Sequence, residues 1–112
     1  MQLTLDSKIQ DRLGLSGQEI STFCQRWGIS SMALFGSVLR DDFDSESDID
    51  VLLTFMPNVR QGLLTLARIK HELENQCHRP VDIALKEGIE ASDNWIRRQE
   101  ILGTAQTIYE QR

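Results

Sequence analysis

Two short runs of strand-forming residues, 29–35 and 48–55, stand on either side of a Gly-Ser break and an acidic loop, and this arrangement limits the fold more than any other feature of the chain. In the first run Met32 and Leu34 alternate with Ala33 and Phe35. The second is rich in Ile, Val and Leu until Pro57 ends it. Alternation with a period of two is the mark of a strand. The link between the runs is short, which suits an antiparallel pair. A third run, residues 81–85, follows a predicted helix over 61–77 and the break at Arg79-Pro80. An intervening helix is the connection a parallel pair requires. The expected fold class is therefore α/β of the α+β kind, a small mixed β-sheet of about three strands with helices packed on one face.

The flanking segments read as helices. Residues 7–13 form a short helix stopped by Gly14. Ser16 and Glu19 make a capping box, and Ile20, Phe23, Cys24 and Trp27 follow at helical spacing until Gly28. In the 61–77 helix the expected inward residues are Leu63, Leu66, Ala67, Leu73 and Cys77. Ser92 is the expected cap of a last helix over 92–111, with Trp95, Leu102, Ala105 and Tyr109 roughly on one side. No repeat or linker interrupts the sequence. The 112 residues are expected to form a single domain, with N-terminal helices over 1–28, a core over 29–85 and a C-terminal helix over 92–111.

Composition narrows the classes of function. No apolar run approaches the ~20 residues of a membrane span. An acid at Asp6 comes too early for a signal peptide, so the expected compartment is the cytoplasm. In a reducing compartment Cys24 and Cys77 are expected to be buried free thiols. A formal net charge of −5 argues against direct nucleic-acid binding and favours a divalent cation or a basic protein partner.

Asp48 and Asp50 are separated by one residue on a strand, so their carboxylates share a face while Ile49 and Val51 turn the other way. Two like charges side by side call for a cation, and Mg²⁺ bridges carboxylates to phosphates. An antiparallel pair brings Gly36-Ser37 beside Asp48. A parallel third strand brings Asp82, its second residue, to the same edge. Gly36-Ser37 opens a helical turn whose N–H groups and hydroxyl can hold phosphate. Phosphoryl and nucleotidyl transfer need little more than metal, phosphate donors and a placed nucleophile. Gly-Ser, ten residues, then Asp-x-Asp arises by chance roughly once in a thousand chains of this size. His71 and His78 lack ligand spacing and read as solvated. Arg97-Arg98 reads as a solvated helix face, with contact to triphosphate or to an acidic partner as the alternative.

The segment Gly36-Ser37-Val38-Leu39-Arg40, followed by Ser47-Asp48-Ile49-Asp50-Val51-Leu52-Leu53, resembles the signature of the DNA polymerase β-type nucleotidyltransferase superfamily. Size, Arg40 and Ser47 are similar to its minimal (MNT-domain) branch, and the likeness runs from about residue 29 to 85. It implies the polymerase β-like fold, two Mg²⁺ ions and ATP as nucleotide donor. Residue by residue, it makes Asp48 and Asp50 metal ligands, and Asp82 the ligand of the catalytic metal that helps activate the attacking hydroxyl. Gly36 and Ser37 take the phosphate-holding role. Arg40 matches the motif arginine, which either contacts nucleotide or pairs with Asp41 or Asp44. Val38-Leu39 and the acidic loop depart from many relatives, where small or basic residues follow the Gly-Ser.

Larger relatives carry a second domain for the acceptor, and a chain of this length has no room for one. Within the resemblance, stand-alone MNT proteins accompany a HEPN-domain toxin ribonuclease and act as its antitoxin by adenylylating a tyrosine. That implies a HEPN-type partner and a homo- or hetero-oligomer. Two alternatives stand beside it: an antitoxin that neutralises its partner by binding alone, and a nucleotidyltransferase acting on a small molecule.

Overall fold

The computed structural model describes residues 2–3, 6–59 and 62–111, with the backbone alone at residues 2 and 3. Its elements are β1 (Gln2–Leu3), α1 (Ser7–Leu13), α2 (Gly17–Trp27), β2 (Ile29–Phe35), a 3₁₀ turn (Gly36–Leu39), β3 (Ile49–Phe55), α3 (Leu63–Cys77), β4 (Val81–Leu85), α4 (Lys86–Glu90), α5 (Trp95–Thr104) and β5 (Gln106–Glu110). The strands form one sheet in the order β1-β5-β2-β3-β4. Only β3 and β4 run parallel. The antiparallel β2–β3 pair and the parallel β3–β4 pair are those that the link lengths predict.

Local signals in the sequence set most boundaries. The Asp6 side chain caps α1 by accepting from the Ile9 N–H, and Gly14 closes the helix in the left-handed region. Ser16 and Glu19 form the expected capping box on α2, and Gly28 ends it in the left-handed region. Such caps are each worth about 1 kcal/mol.

The sheet has five strands among the described residues, against the expected three or so, and helices cover both of its faces rather than one. On one face α1, α2 and α3 bury Ile9, Leu13, Phe23, Ile69 and Leu73 against Leu34, Val51 and Leu53. The opposite face carries Ala33 and Leu52, which alternate with those residues along the strands. Ile101 of α5 covers them, with Leu102 and Ile89 packed alongside. A sheet apolar on both faces needs a layer on each.

Two helix expectations need correction. The predicted start of the third helix at Gln61 lies outside the described residues. Within α3 the buried line is Ile69, Leu73 and Cys77, while Leu63 is 88% exposed and Ala67 is also exposed. Leu63 sits about 240° around the helix from Ile69, so it cannot share that stripe. The C-terminal segment is not one helix. Asn94 rather than Ser92 caps α5, accepting from the Arg97 N–H at 3.1 Å. The helix ends at Thr104, and residues 106–110 become β5, with Tyr109 opposite Met32. Tyr109 is fully buried and Trp95 is 58% exposed, so the two do not lie on a common helix face.

Cys24 and Cys77 are buried and free, as expected. Burial pushes the Cys24 thiol up to about 12 and the Cys77 thiol up to about 11, the latter partly opposed by Arg79. No helix among the described residues is long and apolar enough to cross a membrane.

Candidate active site

Where β2 ends, Phe35 stands opposite Asp50 in the antiparallel register. Asp50 stands opposite Asp82 in the parallel one. One row across three strands thus carries the entrance to the Gly36-Ser37 turn and two of the three predicted carboxylates. Asp48 precedes Asp50 by two residues on the same side. The parity of the strands turns Ile49 and Val81 into the core, where both are buried, and leaves the acids outside it.

Gly36 is required twice over. Its φ of +77° lies in the left-handed region. A Cβ placed there would lie 3.2 Å from the carboxyl carbon of Asp50 and would collide with one of its oxygens. The backbone of the turn therefore rests directly against Asp50. Ser37 reaches back across the gap, its hydroxyl donating to the Asp48 carbonyl over a long 3.4 Å.

The electrostatics of the site are set by crowding of like charge. Burial, then the charges of Asp82 and Asp48, push the Asp50 carboxyl above the usual carboxylate range; Arg40 and Arg97 pull the other way. Asp48 and Asp82 are exposed and Asp50 is half-buried. Among the described residues no three ligating side chains are drawn into one metal shell. The donor set itself fits a divalent cation. It consists of hard carboxylate oxygens on one sheet face, with negative charge that the two arginines offset only in part.

A cleft of about 520 Å³ opens beside this row. Phe35, Gly36, Leu39, Arg40 and Asp50 form one wall; Arg97, Glu100, Ile101 and Thr104, one face of α5, form the other. Its volume suits a nucleotide-sized ligand. Arg40 lines the cleft and also pairs with Asp42 at 3.2 Å. The expected partners, Asp41 and Asp44, are engaged elsewhere: Asp41 meets Lys8 at 3.4 Å, and Asp44 accepts from Glu46 N–H and Ser47 Oγ inside the loop.

All six predicted site residues, Gly36, Ser37, Arg40, Asp48, Asp50 and Asp82, thus gather at one end of the sheet. Arg97 is the residue whose sequence signal left two readings open, a solvated helix face or contact with triphosphate or an acidic partner. It is exposed, yet it faces the cleft and acts on Asp50. The spacing of Arg97, Glu100, Ile101 and Thr104 marks a shared helix face. Which way that face turns is settled by α5 packing on the sheet.

Comparison with known proteins agrees with this geometry. Residues 19–106 match the family model described as a nucleotidyltransferase domain. A protein of Methanocaldococcus jannaschii, named for protein adenylyltransferase activity, is 38% identical over 56 residues. That stretch spans 50% of this chain and 58% of the relative. A solved structure described as a minimal nucleotidyltransferase is 30% identical, with a TM-score of 0.61; the match covers 80% of this chain and 85% of the other. The crystal structure of a toxin–antitoxin with AMP-PNP shares the fold, with a TM-score of 0.66 at 14% identity over 88% of this chain and 76% of that one. The cradle of Gly36 against Asp50, the in-register acids and the extent of these matches lead to one conclusion: the chain belongs to the nucleotidyltransferase domain family, in its minimal form.

Proposed function

We propose that this protein transfers AMP from ATP to a hydroxyl group, with the tyrosine of a HEPN-type toxin ribonuclease as acceptor, and so acts as that toxin's antitoxin. The observation that carries the reading is the register that sets Phe35, at the entrance to the Gly36-Ser37 turn, in one row with Asp50 and Asp82. A binding module has no use for a half-buried carboxylate crowded by two others. The activity for which the M. jannaschii relative is named supports a protein acceptor, and the AMP-PNP and toxin of the solved neighbour support an adenine nucleotide and a toxin partner.

In the proposed reaction the acceptor oxygen attacks the α-phosphorus of ATP. The bond from that phosphorus to the β-bridging oxygen breaks, pyrophosphate leaves, and the acceptor proton passes to the Asp82 carboxylate. Asp48, Asp50 and Asp82 would hold divalent metal, which when bound neutralises phosphate charge and lowers the cost of ionising the acceptor. The turn at Gly36-Ser37 presents backbone N–H groups to the polyphosphate, and Arg40 and Arg97 add positive charge along the cleft. The apolar side chains of Phe35, Leu39 and Ile101 offer a surface for the nucleoside. A tyrosine is a reasonable acceptor because its phenol starts from a pKa near 10. Tyr109 is not a candidate, being buried in β5.

The test is the intact mass of the partner ribonuclease after incubation with this protein and Mg²⁺–ATP, alongside its nuclease activity. A partner that gains AMP and loses activity supports the reading. A partner silenced without a mass change, and silenced equally by the Asp48→Asn/Asp50→Asn protein, makes this chain a binding antitoxin instead.

A further inference from the structure

The loop between the Gly36-Ser37 turn and β3 is strongly acidic, and its one aromatic residue is Phe43. Phe43 is half-buried and packs against the main core. Two guanidinium groups stack on its ring. The Cζ of Arg79 lies 4.3 Å from the ring centroid and that of Arg12 lies 4.9 Å away. The arginines come from distant parts of the chain, Arg12 from the last turn of α1 and Arg79 from the break between α3 and β4. Each also ties down one end of the loop. Arg12 Nη1 donates to the carbonyls of Val38 at 2.8 Å and Arg40 at 2.7 Å. Arg79 Nη1 donates to those of Asp44 at 2.8 Å and Ser47 at 3.0 Å. Asp41, Asp42, Asp44 and Glu46 are all close in sequence, yet among the described residues neither arginine forms an ion pair with them. The guanidinium forks are used on main-chain carbonyls and on a ring, which fixes backbone shape rather than balancing charge.

We propose that Arg12, Phe43 and Arg79 form a positioning clamp that sets the distance between the Gly36-Ser37 turn and the three carboxylates; this rests on the nucleotidyl-transfer reading given above. The turn precedes the loop and Asp48 follows it, so any slack in the loop changes the spacing between phosphate donors and acids. Arg79 serves a second strand as well. It stands three residues before Asp82, and the carbonyl of its neighbour Pro80 accepts from the Ile49 N–H at 3.0 Å. Arg79 and its neighbour Pro80 thus tie the end of the loop and the first residue of β3 to the segment that leads into β4. None of the three touches the reacting atoms, so they are positioning residues. A misplacement of about 1 Å at a transfer site costs on the order of 100-fold in rate.

The test uses Phe43→Leu, which keeps apolar packing without a ring face, and Arg79→Lys, which keeps charge without the fork. Phe43→Tyr is the conservative rescue, and Lys8→Ala, which removes an exposed contact to Asp41, is the control. Two readouts are taken on the full chain: hydrogen exchange of the amides of residues 40–49, and kcat against KM for Mg²⁺–ATP with the partner present. The expected result is exchange faster by about tenfold or more in that segment for the Leu and Lys variants, with α2 amides unchanged. Their kcat should fall by on the order of 10- to 100-fold with KM little moved, and the Tyr and Ala variants should match the wild type. Wild-type exchange in Phe43→Leu and Arg79→Lys overturns the clamp, and so does wild-type kcat in both. Faster exchange in a protein whose wild type binds no Mg²⁺–ATP keeps the clamp and removes the proposed function, so the two failures are told apart.

Discussion

Replacing Gly36 by alanine tests the site through a single atom. The new Cβ meets two separate penalties. A non-glycine residue at φ +77° costs about 1–2 kcal/mol. The methyl also collides with the Asp50 carboxylate, whose side chain must leave its rotamer at a further cost of about 0.5–1.5 kcal/mol. The sum is about 1.5–3.5 kcal/mol, or a fall in Tm of roughly 6–15 °C for a domain of this size. Gly14→Ala is the matched control. Gly14 has φ +71°, and nothing lies within 4 Å of where its Cβ would stand. It pays the backbone penalty alone, about 1–2 kcal/mol. The difference between the two variants, about 1 kcal/mol, measures the collision with Asp50. Urea unfolding of both proteins gives that difference directly. Transfer assays below the Tm of both give the second comparison. Gly36→Ala should lose on the order of 100-fold in transfer because Asp50 has moved, whereas Gly14→Ala should keep wild-type rates. Equal destabilisation of the two variants together with full transfer by Gly36→Ala would refute the contact between the turn and the Asp50 carboxylate as a requirement of the site.

Further outcomes follow from the same geometry. Asp82→Asn should lower kcat by on the order of 100-fold or more while Mg²⁺–ATP still binds, which kinetics and calorimetry together would show; unchanged kcat with weakened binding would count against the base role. Mg²⁺–ATP at about 100 times its Kd should stabilise the wild type by about 2.7 kcal/mol and leave the Asp48→Asn/Asp50→Asn protein unmoved in a thermal melt. The buried thiols carry a pH dependence. Unfolded thiols ionise near 9.0, whereas burial holds Cys24 near 12 and Cys77 near 11, so the folded state keeps protons that the unfolded state gives up. Stability is then intact below pH 9 and falls from pH 9 towards 11, by on the order of 1 kcal/mol per thiol per pH unit. Urea unfolding at pH 8 and pH 10.5 should show that loss, and Cys24→Val should reduce it.

The sequence by itself determined the elements whose signals are local. Strand alternation placed β2 and β4, caps at Ser16, Gly14 and Gly28 bounded the first two helices, and link lengths decided which strand pairs run parallel. Because strand parity and pairing direction are enough to put Asp48, Asp50, Asp82 and Gly36-Ser37 at one sheet end, the acids and the turn were legible before any coordinates. What only the tertiary structure decided depends on distant partners. Residues 106–110 have enough apolar spacing to pass for a helix, and they become a strand because β2 has an open edge, where Met32 meets Tyr109. The facing of α5 follows from the need to cover Ala33 and Leu52, and that choice turns Arg97 into the cleft. The use of Arg12 and Arg79 on Phe43 joins three segments far apart in the chain. Periodicity states which residues share a face but not what that face will meet, since the partner is chosen by the burial of the whole domain.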